Sequence, residues 1–294
     1  MSLYARVPAQ AQDAAELAVQ NPIVDSKTLY VAISQSGETA DTLAALREVR
    51  LKGGLVAGVT NVVGSSLARE TDFGTYVHAG PEISVCSTKA FTAQVLATEL
   101  LALQFARMRD LSAADGRTWV KALEQLPVQV RGMLEHAAAC QVLAKRFASS
   151  KFTMFIGRGA NVAVAQEGAL KLKEIAYVPA EGLSGAAMKH GPLALIEPGL
   201  PVWALVPPDE TRERMLGNLR ELKARGAHIT AVAGAQDTEV SNLVDEVIPL
   251  PVHHPAVSPI LTVIPLQLYA YFSALELGYD IDKPRNLAKS VTVM

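Results

Sequence analysis

The feature that most constrains this chain is an internal repeat of one helix–glycine–strand unit. The first copy reads LREVRLKG at 46–53 and LVAGV at 55–59, and the second reads LRELKARG at 219–226 and HITAV at 228–232. In both copies the glycine falls where a helix C-terminus needs a left-handed residue before the next strand. Two such copies, about half a chain apart, predict two homologous α/β subdomains.

The remaining pattern alternates short β-branched runs with longer amphipathic stretches, which predicts parallel sheets covered by helices. The clearest predicted strands are 28–33, 55–60, 152–156, 202–206 and 229–233, and the clearest predicted helices are 41–51, 92–107, 162–176, 210–224 and 259–276. We expect an α/β fold of two subdomains, each a three-layer, flavodoxin-like parallel sheet flanked by helices. The predicted boundaries are 1–127, 128–283 and a C-terminal tail at 284–294, with the first join near Pro127, where proline interrupts helical sequence.

Composition excludes several classes of function. With 27 basic and 29 acidic side chains the formal charge is −2, so no global field attracts nucleic acid or acidic membranes. The longest apolar region, 260–275, contains Pro265 and Gln267 and is interpreted as a buried helix. The start shows no signal-peptide pattern, so we expect a soluble cytoplasmic protein in which Cys86 and Cys140 are buried free thiols.

A polar loop, SQSGET at 34–39, separates a predicted strand from a predicted helix. Open α/β sheets bind ligands at such junctions, where helix N-termini point N–H groups outward. The hydroxyls of Ser34, Ser36 and Thr39, with Gly37 between them, suit a phosphate monoester held without a metal. The alternative is an ordinary helix cap formed by Ser36 or Thr39.

A second polar turn, SVCSTK at 84–89, also precedes a predicted helix. It either supplies Ser87 and Thr88 to the same ligand or only caps that helix. The corresponding loop of the second repeat, PPDET at 207–211, has no serine-rich turn. Only the first repeat therefore has the pattern of an anion site.

Three charged residues, Glu167, Lys171 and Glu174, share one face of a predicted helix because they fall at i, i+4 and i+7. One interpretation is a solvated ladder of ion pairs. Against it, Gly168 and Ala169 suit close packing. A carboxylate held near a lysine inside a cleft can act as the base that moves a proton between adjacent sugar carbons.

Two further segments carry candidate catalytic groups. His190 follows a loop of small residues and is either a surface residue or an acid/base able to open a sugar ring near neutral pH. The C-terminal tail starts at the rigid Pro284 and is more apolar than most chain ends, so it could fold over a site and exclude water. Lys289 in this tail could form a Schiff base with a ketose carbonyl.

Five motifs occur in order: SQSGETADT at 34–42, STKAF at 87–91, EGALKLKE at 167–174, KHGPLAL at 189–195 and PRNLAKSVTV at 284–293. Together they resemble the isomerase domain of glutamine–fructose-6-phosphate aminotransferase, which is built of two SIS (sugar isomerase) subdomains. The resemblance runs from about Val24 to the end. It implies conversion of fructose 6-phosphate to glucosamine 6-phosphate with ammonia, without a cofactor or metal.

The resemblance also implies a role for each candidate residue and an obligate homodimer with a shared active site. In this scheme Glu174 shuttles the proton between C1 and C2 with Lys171 beside it, and Lys289 forms the imine. His190, contributed by the neighbouring subunit, helps to open the ring. The implied substrate-binding residues are Ser34, Gln35, Ser36 and Thr39 at the phosphate, with Ser87 and Ala288 at the sugar.

The chain departs from the family pattern in three places, and two alternatives stay open. The segment before Lys189 reads AAM at 186–188, where the family often carries an acidic residue near Ala187. Residues 1–21 do not resemble the family's opening strand and its Gly-Thr-Ser turn. A glutaminase domain is also missing, so nitrogen would come from free ammonia or a partner domain. The alternatives are a stand-alone SIS-family glucosamine-6-phosphate deaminase and a sugar-phosphate sensor without turnover. The tail resembles the synthase more, and a sensor has no need of Glu174, His190 and Lys289 together.

Overall fold

A computed structural model describes residues 1–289 of the chain. They form two compact units, each with its own sheet: unit 1 is Met1–Gly116 with residues 286–289, and unit 2 is Arg117–Arg285. The predicted α/β class with parallel sheets flanked by helices is confirmed. The subdomain boundaries at 127 and 283 stay a prediction, and the last part of the predicted tail, 290–294, lies outside the described residues.

Unit 1 contains a three-stranded parallel sheet in the order β1-β2-β3. Its elements are α1 (Ala14–Val19), β1 (Leu29–Ser34), α2 (Ala40–Leu51), β2 (Leu55–Thr60), α3 (Ser66–Glu70), β3 (Phe73–Tyr76) and α4 (Lys89–Met108). The unit boundary falls inside α5 (Ala113–Leu134).

Unit 2 contains a five-stranded parallel sheet in the order β5-β4-β6-β7-β8. After α5 its elements are α6 (Ala137–Phe147), β4 (Thr153–Gly157), α7 (Asn161–Ala176), β5 (Ala180–Ser184), β6 (Pro201–Val206), α8 (Arg212–Lys223), β7 (His228–Gly234), α9 (Thr238–Ser241), β8 (Glu246–Leu250) and α10 (Ser258–Glu276). Short 3-10 turns cover Ala187–His190, Pro192–Leu195 and Pro255–Val257.

The predicted repeat is present in the structure. Gly53 follows α2 with φ of 81° and Gly226 follows α8 with φ of 78°, so both glycines take the left-handed conformation that the sequence required. In each unit the strand before the helix pairs in parallel with the strand after the glycine, β1 with β2 and β6 with β7. The repeat therefore matches β1, α2 and β2 to β6, α8 and β7.

The match extends to one side-chain contact in each unit. The Asp72 carboxylate accepts a hydrogen bond from the Val56 N–H at 2.9 Å, and the Asp245 carboxylate accepts one from the Ile229 N–H at 2.8 Å. Val56 and Ile229 occupy the same position of the repeat, one residue into β2 and β7. Both units thus anchor the start of this strand with an aspartate from the segment before the next strand.

The sheet of unit 2 has a packed layer on each face. Successive side chains of a strand point to opposite faces, so Met154 and Ile156 pack with the α8 residues Leu216 and Leu219 in one core. On the other face, Phe155 and Trp203 contact Tyr269 of α10, with ring centroids 6.5 Å and 4.9 Å apart. This arrangement is the three-layer αβα order expected from the sequence.

The apolar segment 260–275 lies within α10, as predicted. The stretch Pro255–Glu276 has the length and apolar composition of a membrane span, but 72% of its most apolar window is buried inside the protein. Leu261, Val263 and Leu266 are each fully buried. The helix therefore serves as the central core helix of unit 2.

Pro127 does not interrupt the helix in which it lies, so that part of the prediction is wrong. The helix α5 continues through Pro127 to Leu134. Proline removes one intrahelical hydrogen bond without necessarily ending a helix. Here Trp119, Leu126 and Met133, spaced seven residues apart, are all buried, and this apolar stripe holds both halves of α5 in one helix.

Both cysteines are buried free thiols, as predicted. Burial raises the pKa of the Cys140 thiol to about 12, so it stays protonated at neutral pH. These thiols therefore act as small apolar side chains of their cores.

Unit 1 contains a buried carboxyl that gives the protein a predictable pH dependence. Burial raises the pKa of Glu99, on α4, from 4.5 to about 7, although the positive charge of the N-terminal amino group lowers it. The folded state then binds this proton more tightly than the unfolded state. The contribution of the protonated carboxyl to stability is therefore complete below about pH 4.5 and is lost as pH rises through 7.

In the parent chain the free energy of unfolding should fall between about pH 5 and about pH 8. We expect Glu99→Gln to make this fall smaller by about 2–4 kcal/mol. Urea unfolding at both pH values measures this, and Glu124→Gln, at an exposed position of α5, should leave the decline unchanged.

Candidate functional site

The polar loop at 34–39 is held together by its own side chains. Ser34 ends β1, and its Oγ accepts a hydrogen bond from the Gly37 N–H at 3.1 Å. The same Oγ lies 3.3 Å from Thr39 Oγ1. Thr39 is the N-cap residue of α2, yet its side chain makes no capping bond. Its hydroxyl turns toward Ser34 instead, so a simple cap does not describe this residue.

The loop backbone is fixed against the neighbouring helix α3. Gly37 has φ of 67°, and a Cβ on it would lie 2.2 Å from Ser65 Oγ, so only glycine fits. Next to it, Glu38 Oε1 accepts a hydrogen bond from the Ser66 N–H at 2.7 Å, and this bond lowers the pKa of the Glu38 carboxyl. On the other side, the Gln35 carbonyl accepts a bond from the Asn61 N–H at 3.1 Å.

The side chains at the junction between the strand and the following helix differ between the two repeats. In unit 1, Ser36 Oγ accepts a bond from the Glu38 N–H at 3.2 Å, so the loop offers hydroxyls beside the first turn of α2. In unit 2, Asp209 Oδ1 accepts bonds from the Thr211 N–H at 2.8 Å and the Thr211 hydroxyl at 2.6 Å. A carboxylate thus occupies the junction of the second repeat, and only the first keeps neutral donors where an anion would bind.

The second polar turn of unit 1 brings together Ser87 and Lys289. Ser87 Oγ donates a hydrogen bond to Glu82 Oε2 at 2.9 Å. Lys289 Nζ lies 3.8 Å from the same carboxylate oxygen and donates to the Ser84 carbonyl. Ala288, beside Lys289, is exposed. Glu82 is therefore a site residue that the sequence reasoning missed, although an acidic side chain five positions before Ser87 was the available signal.

The charged face of α7 is buried, so its interpretation as a solvated ladder is wrong. Lys171 Nζ lies 2.7 Å from Glu174 Oε2 and 3.3 Å from Glu167 Oε1, and its side chain is 4% exposed. The side chains of Glu174 and Glu167 are 20% and 12% exposed. Close packing of Gly168 explains the burial, because a Cβ there would lie 2.6 Å from Leu266 Cδ1 of α10.

This triplet holds two carboxylates and one ammonium, so it carries one net negative charge. A buried ammonium is tolerated only when it is paired, and here Glu167 and Glu174 of its own helix pair with it. The ion pair places the carboxylate of Glu174, the most exposed of the three, beside that ammonium. A carboxylate held in this way can accept a proton from carbon and return it.

The remaining candidate of unit 2, His190, and the start of the C-terminal tail lie outside the strands and long helices. His190 ends the 3-10 turn Ala187–His190 and is exposed, and its neighbour Lys189 pairs with Glu221 at 2.6 Å. The start of the tail is anchored to Tyr177, the C-cap residue of α7. The Tyr177 hydroxyl accepts a hydrogen bond from the Arg285 N–H at 2.7 Å, and the Arg285 guanidinium lies 4.2 Å from the ring centroid.

Comparison with known proteins identifies a family match. The model of the SIS domain family matches residues 2–104 and 146–277. The chain is 46% identical over 290 residues to a protein of Chlorobaculum tepidum named glutamine–fructose-6-phosphate aminotransferase [isomerizing], covering 99% of this chain and 47% of the relative. A relative of the same name from Thermus thermophilus is 46% identical over 294 residues. This match covers 100% of this chain and 49% of the length of the relative.

A solved structure shows the same fold. The C-terminal domain of glucosamine-fructose-6-phosphate aminotransferase from Francisella tularensis matches with a TM-score of 0.91 and 37% identity, covering 96% of this chain and 81% of that one. The chain thus spans about half the length of the curated relatives and most of the isolated domain.

The conformation of Gly37 makes the loop at 34–39 testable. We expect Gly37→Ala to weaken binding of a sugar phosphate by roughly tenfold or more, because left-handed strain of about 1–3 kcal/mol and the contact with Ser65 both distort the loop. Gly53→Ala is the matched control, since Gly53 has φ of 81° but open space around its Cβ position. Calorimetric titration with fructose 6-phosphate compares the two, and equal affinities would contradict the role of this loop.

The buried ion triplet makes a prediction about stability. Lys171→Met should lower the free energy of unfolding by about 3–5 kcal/mol, because it leaves two carboxylates buried without their cation. Lys173→Met is the control, as Lys173 is exposed on the same helix and should change stability by no more than about 0.5 kcal/mol. Urea denaturation at neutral pH measures both, and a loss below about 1 kcal/mol for Lys171→Met would show that the pair contributes little.

Proposed function

The chain belongs to the SIS-domain family, as an isomerase domain of the glutamine–fructose-6-phosphate aminotransferase type, and from that premise we propose that it converts fructose 6-phosphate and ammonia to glucosamine 6-phosphate. The reaction replaces the C2 oxygen of the ketose by nitrogen and moves a proton from C1 to C2, and it releases water. It needs an anion site for the phosphate, a group that activates C2 and a base. Candidates for all three are present among the residues already described.

In unit 1 the loop at 34–39 binds the phosphate. Ser34, Gln35, Ser36 and Thr39 are the binding residues, with Gly37 allowing the backbone to approach. The N-terminus of the twelve-residue helix α2 supplies N–H donors and the positive end of a helix dipole. Neutral donors suffice for a phosphate dianion, so the proposal includes no metal or cofactor.

Lys289 activates the ketone of the open-chain sugar. Two protons of the Lys289 ammonium pass to the C2 oxygen as the nitrogen adds to C2. The C2–O bond breaks and the oxygen leaves as water, which produces an iminium ion between C2 and Nζ. Ammonia then replaces the lysine nitrogen at the same carbon. Ser87 and Ala288 line the sugar in this proposal, and the contact that Lys289 and Ser87 share through Glu82 supports it.

In unit 2 Glu174 moves the proton between C1 and C2, and this assignment rests on the clearest single observation. Lys171 has a buried side chain, and its Nζ lies 2.7 Å from Glu174 Oε2. This ion pair orients the carboxylate that acts as the base, while 20% of the Glu174 side chain remains exposed. Proton transfer to and from carbon requires such a positioned carboxylate. Lys171 is the positioning residue.

The remaining parts of the proposal concern partners. His190 helps to open the sugar ring, and its exposed position suits a group that acts on the active site of the neighbouring subunit in a cytoplasmic homodimer. Nitrogen comes from free ammonia or from a glutaminase domain. In the curated relatives, about half of the length lies outside the part that this chain matches.

The test is a product assay by NMR. The purified chain is incubated with fructose 6-phosphate, once alone and once with ammonium. We expect glucosamine 6-phosphate to appear only with ammonium, and Glu174→Gln to lower the rate by roughly 100-fold or more while the affinity for fructose 6-phosphate is kept. Glu181→Gln, at an exposed position of β5, is the matched control.

Each outcome separates the candidate functions. Binding of fructose 6-phosphate without turnover under both conditions would contradict the enzyme and favour a sensor. Release of ammonia from glucosamine 6-phosphate without measurable synthesis at high ammonium would favour a deaminase. A full rate in Glu174→Gln would remove this residue from the mechanism.

A further inference from the structure

The turn before α4 contains a buried carboxylate with more contacts than a helix cap requires. Glu82 has a side chain that is 4% exposed. Its Oε1 accepts hydrogen bonds from the Thr88 N–H at 2.8 Å and the Ala90 N–H at 3.4 Å, and its Oε2 accepts one from Ser87 Oγ at 2.9 Å. Glu82, which lies outside α4, thus accepts from the N–H of the N-cap residue Thr88 and from the N–H of Ala90 in the first turn.

Capping alone does not explain the choice of a glutamate. Thr88, a residue type that commonly caps helices, already occupies the N-cap position of α4, and its side chain makes no capping bond. A neutral hydroxyl could therefore have done this work without burying a charge, which is costly unless the charge is paired. Something else must make a buried negative charge favourable here.

Lys289 provides that pairing. Its Nζ lies 3.8 Å from Glu82 Oε2, the oxygen that also accepts the Ser87 hydroxyl, and the ammonium donates to the Ser84 carbonyl. The Lys289 side chain is 31% exposed against 4% for Glu82. The carboxylate is thus fixed by α4, whereas the amine end reaches it from the C-terminal segment and remains accessible.

We propose that Glu82 is a positioning residue for Lys289 and the counter-ion of the cation that forms there. The inference rests on the proposed function, in which the nitrogen of Lys289 adds to C2, two protons of its ammonium leave with the C2 oxygen as water, and an iminium ion between C2 and Nζ remains. That ion carries one positive charge on the atom that faces Glu82 Oε2. A negative charge already held in place beside the forming cation stabilises it without reorganisation of solvent.

The proposal also gives Ser87 a second connection to the chemistry. Its hydroxyl and the Lys289 amine approach the same oxygen of Glu82, so one carboxylate orients both groups. The Glu82 side chain therefore couples the sugar-binding turn to the imine-forming residue inside unit 1.

The test traps the imine rather than measuring only turnover. The purified chain is incubated with fructose 6-phosphate and borohydride, and the adduct on Lys289 is quantified by mass spectrometry per folded molecule. We expect Glu82→Gln, which keeps the side-chain length and an acceptor oxygen but loses the charge, to reduce adduct formation roughly tenfold to hundredfold, as for the loss of a hydrogen bond to a charged group. Binding of fructose 6-phosphate should stay within a factor of about three.

Glu82→Asp keeps the charge but retracts it by one methylene, so it should recover part of the rate and remain a few-fold below the parent. If Glu82→Gln fails to fold, Glu82→Asp alone tests the proposal. If Glu82 served only as a helix cap, the amount of adduct per folded molecule of Glu82→Asp would equal that of the parent chain. Asp237→Asn is the control for capping: Asp237 accepts a hydrogen bond from the Val240 N–H at the start of α9, and its loss should not alter the adduct.

The outcomes distinguish this inference from the function on which it rests. Absence of both adduct and product in the parent chain would overturn the proposed function. An adduct in the parent that forms equally fast in Glu82→Gln, or in Glu82→Asp if the former does not fold, would overturn only the role of Glu82.

Discussion

The first-turn N–H groups of helices that follow strands need acceptors, and this requirement organises both units. An α-helix leaves its first four N–H groups without intrahelical partners. Before α2 the loop hydroxyls of Ser34 and Ser36 accept from N–H groups of the loop itself. At α4 the carboxylate of Glu82 accepts from the Ala90 N–H in the first turn, and before α8 the carboxylate of Asp209 accepts from the N–H of the N-cap residue Thr211. In a parallel sheet all these junctions lie at the carboxyl edge of the strands. The nature of each acceptor therefore decides which junction can receive an anion and which already contains one.

A second constraint is the close approach of α7 to its neighbours. Gly168 lies against Leu266 of α10, and a Cβ on Gly182 of β5 would lie 2.3 Å from the Ala165 carbonyl. Packing at this distance leaves Lys171 no route to solvent, so its charge must be balanced inside. Two glutamates on the same helix provide that balance. The cost of burying three charges is large, and Glu174, with 20% of its side chain exposed, is the member of the triplet that keeps the most contact with solvent.

The sequence was informative where the physical signal is local. The repeat predicted the left-handed glycines, Gly53 and Gly226, and every predicted strand and helix has a counterpart in the structure. The strands β3, β5 and β8 were missed because glycine, proline or glutamate interrupts their apolar pattern, as in FGTY, AEGLS and EVIPL. The i, i+4, i+7 spacing placed Lys171 with its partners, whereas its burial depends on α10, about ninety residues away in the chain. The contact of Glu82 with Lys289 could not be predicted for the same reason, because the two residues lie far apart in the chain and no sequence spacing relates them.

The two repeats combine a shared backbone with different side chains at the junction between strand and helix. Both copies retain the structural aspartate, Asp72 or Asp245, that anchors a strand, so the backbone geometry at the carboxyl edge stays comparable. At the junction before the helix they differ by a single kind of change: hydroxyls in the first, the carboxylate of Asp209 in the second. A carboxylate satisfies the local donors and repels a phosphate, whereas hydroxyls satisfy them only partly and leave the helix terminus able to attract one. The proposed phosphate loop therefore lies in the copy of the repeat whose junction holds hydroxyls, and the copy with Asp209 has no matching site in the proposal.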